Sequence, residues 1–149
     1  MPEPDPRTLF ALFREIGIIE QLSRTQLEAH LPDGLIAPHF AVLSHLINRG
    51  DGAVPITMAR AFQVPKTSMT HTLKGLEKGG YIEIRPNPED KRSKTVWMTD
   101  KGRALFYQTI ENLGPAMGSV LSKMDAAKLT ALIPVLSELR EIMDAARDP

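Results

Sequence analysis

The sequence contains no cysteine, which excludes a disulfide framework, a thiolate metal site and a cysteine redox switch. No uninterrupted apolar run approaches the ~18 residues that a membrane-spanning helix needs. The acidic, proline-rich segment over residues 1–6 is unlike a secretory signal peptide. We therefore expect no membrane partner and predict a cytoplasmic protein.

Motifs of catalysis are also missing. There is no Gly-rich phosphate loop, no Gly-x-Ser-x-Gly and no His-Glu-x-x-His. The four histidines, at positions 30, 39, 45 and 71, include no pair at i, i+4 spacing, so no helical metal site is predicted from them. The sequence leaves open a metal held by residues far apart in the chain. We expect no catalytic residue, no metal, no cofactor and no enzyme activity.

The chain carries no net charge, since 18 Lys and Arg stand against 18 Asp and Glu. The charges are unevenly distributed, however. Between Lys66 and Arg103 nine Lys and Arg stand against five Asp and Glu, an excess of four positive charges. A phosphate responds to charge within a Debye length of ~8 Å and not to the total, so this segment gives moderate support for a nucleic-acid partner.

Apolar residues recur at helical spacing in two short segments, residues 56–62 and 66–78. In the second segment Met69, Leu73 and Leu76 form one stripe that is predicted to be buried. The opposite face carries hydrogen-bond donors and no carboxylate before position 77, namely Lys66, Thr67, Ser68, Thr70, His71 and Lys74. Two helices joined by a short turn indicate a helix-turn-helix, although a solvated helix surface fits this pattern equally well.

Two segments with period-two alternation follow, residues 81–85 and 95–98, around a charged turn at residues 86–93. A hairpin of this composition is typical of the wing of a winged helix. Arg92 at its tip suits the negative potential of a narrow minor groove. Asp90 lies two residues away and can hold Arg92 by a charge-assisted hydrogen bond before DNA arrives.

At this point the chain resembles the MarR family of winged-helix regulators. The resemblance rests on Asp90-Lys91-Arg92, on Val96-Trp97-Met98-Thr99-Asp100-Lys101-Gly102 and on the preceding Gly80-Tyr81-Ile82. It implies a symmetric homodimer formed by the terminal helices, with a winged domain in each subunit that binds double-stranded DNA. His71 stands where the family often has a base-reading arginine, and this departure affects the expected affinity or sequence preference.

The two ends of the chain are predicted to be long apolar helices. A wide apolar stripe runs over residues 9–22, and two segments with heptad-like spacing occupy residues 106–120 and 129–143. These surfaces can pack within one subunit or form a dimer, and the apolar surface at both ends favours the dimer. We predict dimerisation helices at residues 1–34 and 104–149 and a winged helix-turn-helix domain at residues 35–103.

The sequence therefore predicts a mostly helical α+β fold and a homodimeric, sequence-specific DNA-binding transcriptional regulator that reads a pseudo-palindromic operator. Repression, relieved by a small ligand, is the expected mode, although the sequence does not separate repression from activation. The alternative is a winged-helix protein–protein interaction module without DNA binding. The predicted DNA-binding residues are Lys66, Thr67, Ser68, Thr70, His71, Lys74, Asp90, Lys91, Arg92 and Lys94.

The resemblance also implies a small aromatic or phenolic effector, bound in a cleft between the dimerisation helices and the winged domain. Arg14, His39 and Phe40 are the candidate contacts. A packed, ligand-free interface at the same place is an equally good interpretation.

Overall fold

The computed structural model describes residues 2–147, which form six α-helices and one antiparallel pair of strands. In chain order they are α1 (Pro6–Ala29), α2 (Ala37–Arg49), α3 (Pro55–Phe62), α4 (Lys66–Lys78), β1 (Ile82–Pro86), β2 (Lys94–Met98), α5 (Asp100–Leu121) and α6 (Ala126–Arg147). The chain divides into two compact units, one ending at Asn112 and the other beginning at Leu113.

The core of the first unit lies where α2, α3, α4 and the hairpin meet. Leu43 of α2, Met58 of α3, Leu76 of α4 and Val96 of β2 are fully buried in one cluster. The predicted stripe of α4 is confirmed, since all three of its members belong to that cluster. Since this face of α4 packs in the core, the opposite, polar face of the helix is exposed to solvent.

The strands β1 and β2 form the predicted wing. They pair antiparallel, with Ile84 opposite Val96. Side chains alternate between two faces along a strand, so Ile82 and Val96 reach the core while Arg85 and Trp97 lie on the other face. The Arg85 guanidinium lies 4.2 Å from the Trp97 ring centroid, a cation–π contact that covers the indole.

Val54-Pro55 in the sequence predicts a very short extended piece that could add a third strand to the wing hairpin. The structure places the contact one residue earlier, as a single bridge between Ala53 and Val96. Pro55 is already the first residue of α3. Proline has no N–H to donate to a strand and its fixed φ suits the first helical turn, which explains why the pairing stops at Ala53.

Helix α1 begins with Asp5 accepting a hydrogen bond from the Arg7 N–H at 2.9 Å and with Pro6 as its first residue. None of the described residues of α1 is buried. Its apolar stripe stays accessible within the single chain, and Phe10 and Ile19 are 73% and 61% exposed. A 24-residue helix with so much uncovered apolar surface is unusual for an isolated subunit.

The second unit contains the C-terminal part of α5 and all of α6. Asp125 caps the start of α6 and accepts a hydrogen bond from the Ala127 N–H at 3.0 Å. Helix α6 also buries none of its described residues, and Ile133 is 64% exposed. None of the helices within residues 2–147 combines the length and the apolar character that crossing a bilayer requires.

Candidate nucleic-acid interface

The outer face of α4 is exposed along its length. Lys66, Thr67, Ser68, Thr70, His71 and Lys74 all lie on it. Thr70 differs from the others because its hydroxyl donates a hydrogen bond to the Lys66 carbonyl at 3.0 Å. Its donor is therefore already used by the helix, and Thr70 offers a ligand mainly its oxygen lone pairs and methyl group.

The wing tip is held by hydrogen bonds among its own residues. The Asn87 side chain donates to Ser93 Oγ at 2.8 Å and accepts from the Glu89 N–H at 3.0 Å. Asp90 Oδ1 accepts from the Arg92 N–H at 2.9 Å and from Arg92 Nε at 3.4 Å. The predicted contact between Asp90 and Arg92 is thus present. The Arg92 side chain is nevertheless 93% exposed. Asp90 therefore contacts only part of the guanidinium, and the rest is accessible at the wing tip.

A groove of about 360 Å³ lies between α4 and the wing. Its floor is apolar and includes Pro55, Leu73 and Ile84. Its polar lining comes from both sides of the groove: Lys66, Thr70, Lys74 and Glu77 of α4, and Arg92, Ser93 and Lys94 of the wing. Four cations therefore border the groove with one carboxylate, which makes it attractive to an anion.

The groove sorts the predicted DNA-binding residues into two sets. Lys66, Thr70 and Lys74 line it, whereas Thr67, Ser68 and His71 lie on the exposed face of α4 outside its lining. Lys66, Thr70 and Lys74 follow one another at intervals of four residues, so they lie in one row along the helix. The sequence predicted that all six of these α4 residues share one polar face, and it did not separate the residues that line the groove from those outside it.

Helix α4 also packs against α2, where the imidazole of His39 lies between the two helices. His39 is buried and its Nδ1 accepts the Ile36 N–H at 2.9 Å. A Cβ on Gly75 would lie 3.0 Å from His39 Nε2, so the helices approach closely because position 75 is glycine. Burial lowers the pKa of His39 below its ordinary value, and the nearby His71 lowers it further. Sequence analysis named His39 as a candidate effector contact and gave a packed, ligand-free interface as an equally good interpretation.

We expect this packing to make the fold sensitive to acid. The unfolded chain protonates His39 near its ordinary pKa of ~6.5, whereas the folded chain resists protonation, so the free energy of unfolding should fall as pH drops below that value. His45, whose pKa is also lowered by burial, acts in the same direction. Urea unfolding between about pH 7 and pH 5 should show the decline, and His39→Gln should reduce it.

The matched control is His30→Gln, which removes a histidine that bonds the Gln26 carbonyl within α1. It should leave the pH dependence close to that of the wild type. Equal declines in the wild type and in His39→Gln would contradict the role assigned to His39.

Known proteins are similar to this chain in fold and in sequence. A MarR variant from E. coli, solved in complex with operator DNA, matches with a TM-score of 0.74 and 24% identity over 92% of this chain and 99% of its own. The HTH-type transcriptional repressor YetL of Bacillus subtilis (strain 168) is 25% identical over 116 residues, 77% of this chain and 70% of its own length. The HTH-type transcriptional regulator PetP of Rhodobacter capsulatus is 29% identical over 113 residues, 76% of this chain and 63% of its own length.

The sequence model of the MarR family matches residues 33–93, from the turn before α2 to the tip of the wing. These 61 of the 149 residues are similar to the MarR family. The resemblance seen in the sequence is confirmed, and with it the winged-helix fold and a DNA-binding role in the regulation of transcription. A winged helix that serves only protein–protein interaction is not favoured by these similarities.

The residues predicted to contact an effector lie within the first unit. Phe40 stacks on Phe106 with ring centroids 5.2 Å apart, and His39 packs under α4 as described above. Arg14 is exposed on α1. Two of the three thus have packing roles within the MarR fold of this chain, and the effector site stays a prediction.

Proposed function

We propose that the protein acts in the cytoplasm as a homodimeric transcriptional regulator without enzyme activity, and that it binds a pseudo-palindromic operator. In the proposed complex α4 enters the major groove and the wing reaches the adjacent minor groove. A two-fold dimer presents two copies of α4 to half-sites about one helical turn apart, ~34–36 Å. Repression is the proposed mode, in keeping with the name of YetL.

The observation that carries this proposal is the cationic groove between α4 and the wing. One sugar-phosphate strand separates a major groove from its neighbouring minor groove. If α4 occupies the first and the wing the second, that strand must pass between them. Lys66, Lys74 and Lys94 border the groove where its phosphates would lie, and the apolar floor suits the deoxyribose rings.

The two sets of α4 residues then have different proposed roles. Lys66, Thr70 and Lys74 contact the backbone and fix the position of the helix. Thr67, Ser68 and His71 face base edges in the major groove, where side-chain donors and acceptors discriminate base pairs. Asp90 holds Arg92, which enters the minor groove with Lys91 beside it.

Homodimerisation is proposed from the uncovered terminal helices. Each of α1 and α6 has an apolar surface that the single chain leaves exposed, and neither buries a described residue. Burying such surface against a second copy is the common solution in symmetric oligomers. We assign dimerisation to residues 1–34 and 104–149 and DNA binding to residues 35–103.

A small aromatic or phenolic effector is part of the proposal by analogy with relatives only. Arg14 supplies a cation for a carboxylate, and His39 and Phe40 supply ring surfaces, if the packing of α2 opens to admit a ligand. Titrating such acids into the complex with operator DNA tests this, since an effector should release the DNA at a concentration that changes when Arg14 is replaced by alanine.

The DNA-binding proposal is tested by selecting duplexes from random DNA and measuring anisotropy over a salt series. Wild type should bind the selected site with a steep salt dependence. Arg92→Ala should weaken binding to most sequences and lower the salt slope by about one unit per subunit. Its effect should be similar on selected and unrelated duplexes, because Arg92 reads groove shape and charge.

Arg140→Ala is the charge-matched control, since Arg140 lies on α6 and is not among the residues lining the groove. It should leave affinity and slope close to those of the wild type. If wild type shows no salt-dependent binding to any duplex, the DNA-binding proposal fails. If only Arg92→Ala has no effect, the wing is not a DNA reader.

A further inference from the structure

The carboxyl end of α4 is fastened by the first turn of α5. Gly79 and Gly80 follow the last residue of α4, so their carbonyls lie outside the helical hydrogen-bond pattern and need other donors. Lys101 Nζ donates to the Gly79 carbonyl at 2.5 Å, and Thr99 Oγ1 donates to the Gly80 carbonyl at 2.6 Å. Gly80 has a φ of +80°, a conformation that glycine adopts readily and that turns the chain towards β1.

Tyr81 completes this contact. The Thr99 N–H donates to the Tyr81 carbonyl at 3.2 Å, and Lys101 Nζ lies 4.6 Å from the Tyr81 ring centroid. A Cβ on Gly102 would overlap the Tyr81 carbonyl oxygen, so only glycine at position 102 permits this approach. We call the contact of Thr99, Lys101 and Gly102 with residues 79–81 the α4–α5 clamp.

We propose that the α4–α5 clamp sets the direction of α4 on DNA, and that Thr99 and Lys101 are positioning residues for operator recognition. This inference rests on the proposed function. The amino end of α4 is held by the buried Met69 and has no side-chain cap, since Pro65 precedes the helix. At the carboxyl end, the clamp adds side-chain contacts from the start of α5 to the packing of the buried stripe.

The geometry makes direction important. Helix α4 has 13 residues, so its first and last Cα atoms are about 18 Å apart at a rise of 1.5 Å per residue. A tilt of about 5° at the clamped end would move the first turn by about 1.5 Å, which is enough to break hydrogen bonds that need donor–acceptor distances near 3 Å. Contacts between lysine charges and phosphates tolerate such a shift far better, because Coulomb energy changes slowly with distance.

Loss of the clamp should therefore reduce specific binding and spare non-specific binding. We expect Lys101→Met to weaken binding to the selected operator about tenfold and to change binding to a scrambled duplex less than about twofold. The salt slope should stay that of the wild type, since the charge of Lys101 acts on Gly79 and Tyr81 and not on phosphate. Lys101→Arg, which keeps a donor and a cation, should restore much of the affinity.

Arg103→Met is the matched control, because it removes the same charge from the same turn of α5 without touching the clamp. It should leave the ratio of specific to non-specific binding unchanged. Thr99→Val and Thr99→Ser form a second pair of variants that changes no charge. Thr99→Val should lose specific binding as Lys101→Met does, whereas Thr99→Ser should bind the operator like the wild type. If Thr99→Val does not fold, the exposed Lys101 pair decides alone.

Two results would overturn the inference. Lys101→Met could weaken binding to the operator and to the scrambled duplex equally and lower the salt slope, which would make Lys101 a phosphate contact. Alternatively, the wild type could bind its operator with normal salt dependence while Lys101→Met and every folded Thr99 variant bind equally well. A wild type that binds no duplex at all is a different outcome, because it rejects the proposed function before the clamp is tested.

Discussion

Replacing Ile19 by arginine is expected to turn dimers into monomers. Ile19 is 61% exposed in the single chain, so a charge there should leave the folded subunit intact. In a symmetric dimer held by the terminal helices the substitution occurs twice, and each buried, unpaired charge costs several kcal/mol. Since every 1.4 kcal/mol is tenfold, the dimer dissociation constant should rise by at least about 100-fold. Light scattering over a concentration series measures this.

Gln21→Arg provides the control for this variant. It adds the same side chain two residues away, on the side of α1 opposite to Ile19, and Gln21 is exposed and polar. It should remain dimeric. Circular dichroism should show the same helical content in both variants, which separates dissociation from unfolding. Ile133→Arg on α6 tests the second unit in the same way. If both apolar-face variants stay dimeric, the terminal helices do not form the interface.

The elements proposed to bind DNA were predictable because local spacing defines them. Met69, Leu73 and Leu76 can share a buried side only in a helix, and the structure buries all three. The contact between Asp90 and Arg92 was also predictable, because residues two apart at a tight tip have few other partners within reach. Binary pattern and turn composition carry this kind of information, which requires no knowledge of the fold.

What the sequence did not reveal depends on contacts between distant segments. Thr99 reaches the carbonyl of Gly80 across 19 residues, and Asp51 accepts the Met98 N–H at 2.7 Å across 47 residues. The close approach of His39 to Gly75 likewise joins two helices that are far apart in the sequence. No periodicity in the sequence encodes such pairs. Only the folded chain therefore shows the clamp, the groove and the packing of α4 on α2.

The segment at residues 53–55 shows a case where local signals compete. An apolar residue before a proline fits an extended strand, yet Pro55 fits a first helical turn equally well. The structure satisfies both signals by ending the strand contact at Ala53 and beginning α3 at Pro55. The Val96 N–H donates to the Ala53 carbonyl at 2.9 Å, a partner that no local rule identifies.

Reversing one charge in the groove should have the largest effect on DNA binding. Lys74 lines the groove one turn of helix from Glu77, so Lys74→Glu would place two carboxylates where a phosphate is proposed to lie. The lost cation alone should lower the salt slope by about one unit per subunit. Like-charge repulsion adds to the loss, and the affinity of the dimer for any duplex should fall at least about 100-fold at ~0.1 M salt.

Two variants show whether the groove, and not total charge, is responsible. Lys128→Glu changes the net charge of the chain by the same amount at a residue of α6 that does not line the groove, and it should change affinity little. His71→Ala lies on α4 outside the groove and should cost ~1–3 kcal/mol at one or two base positions, with the salt slope unchanged. Anisotropy with the selected site and its point variants separates these results. Equal losses in Lys74→Glu and Lys128→Glu would mean that the DNA responds to net charge, and the groove would then have no assigned role.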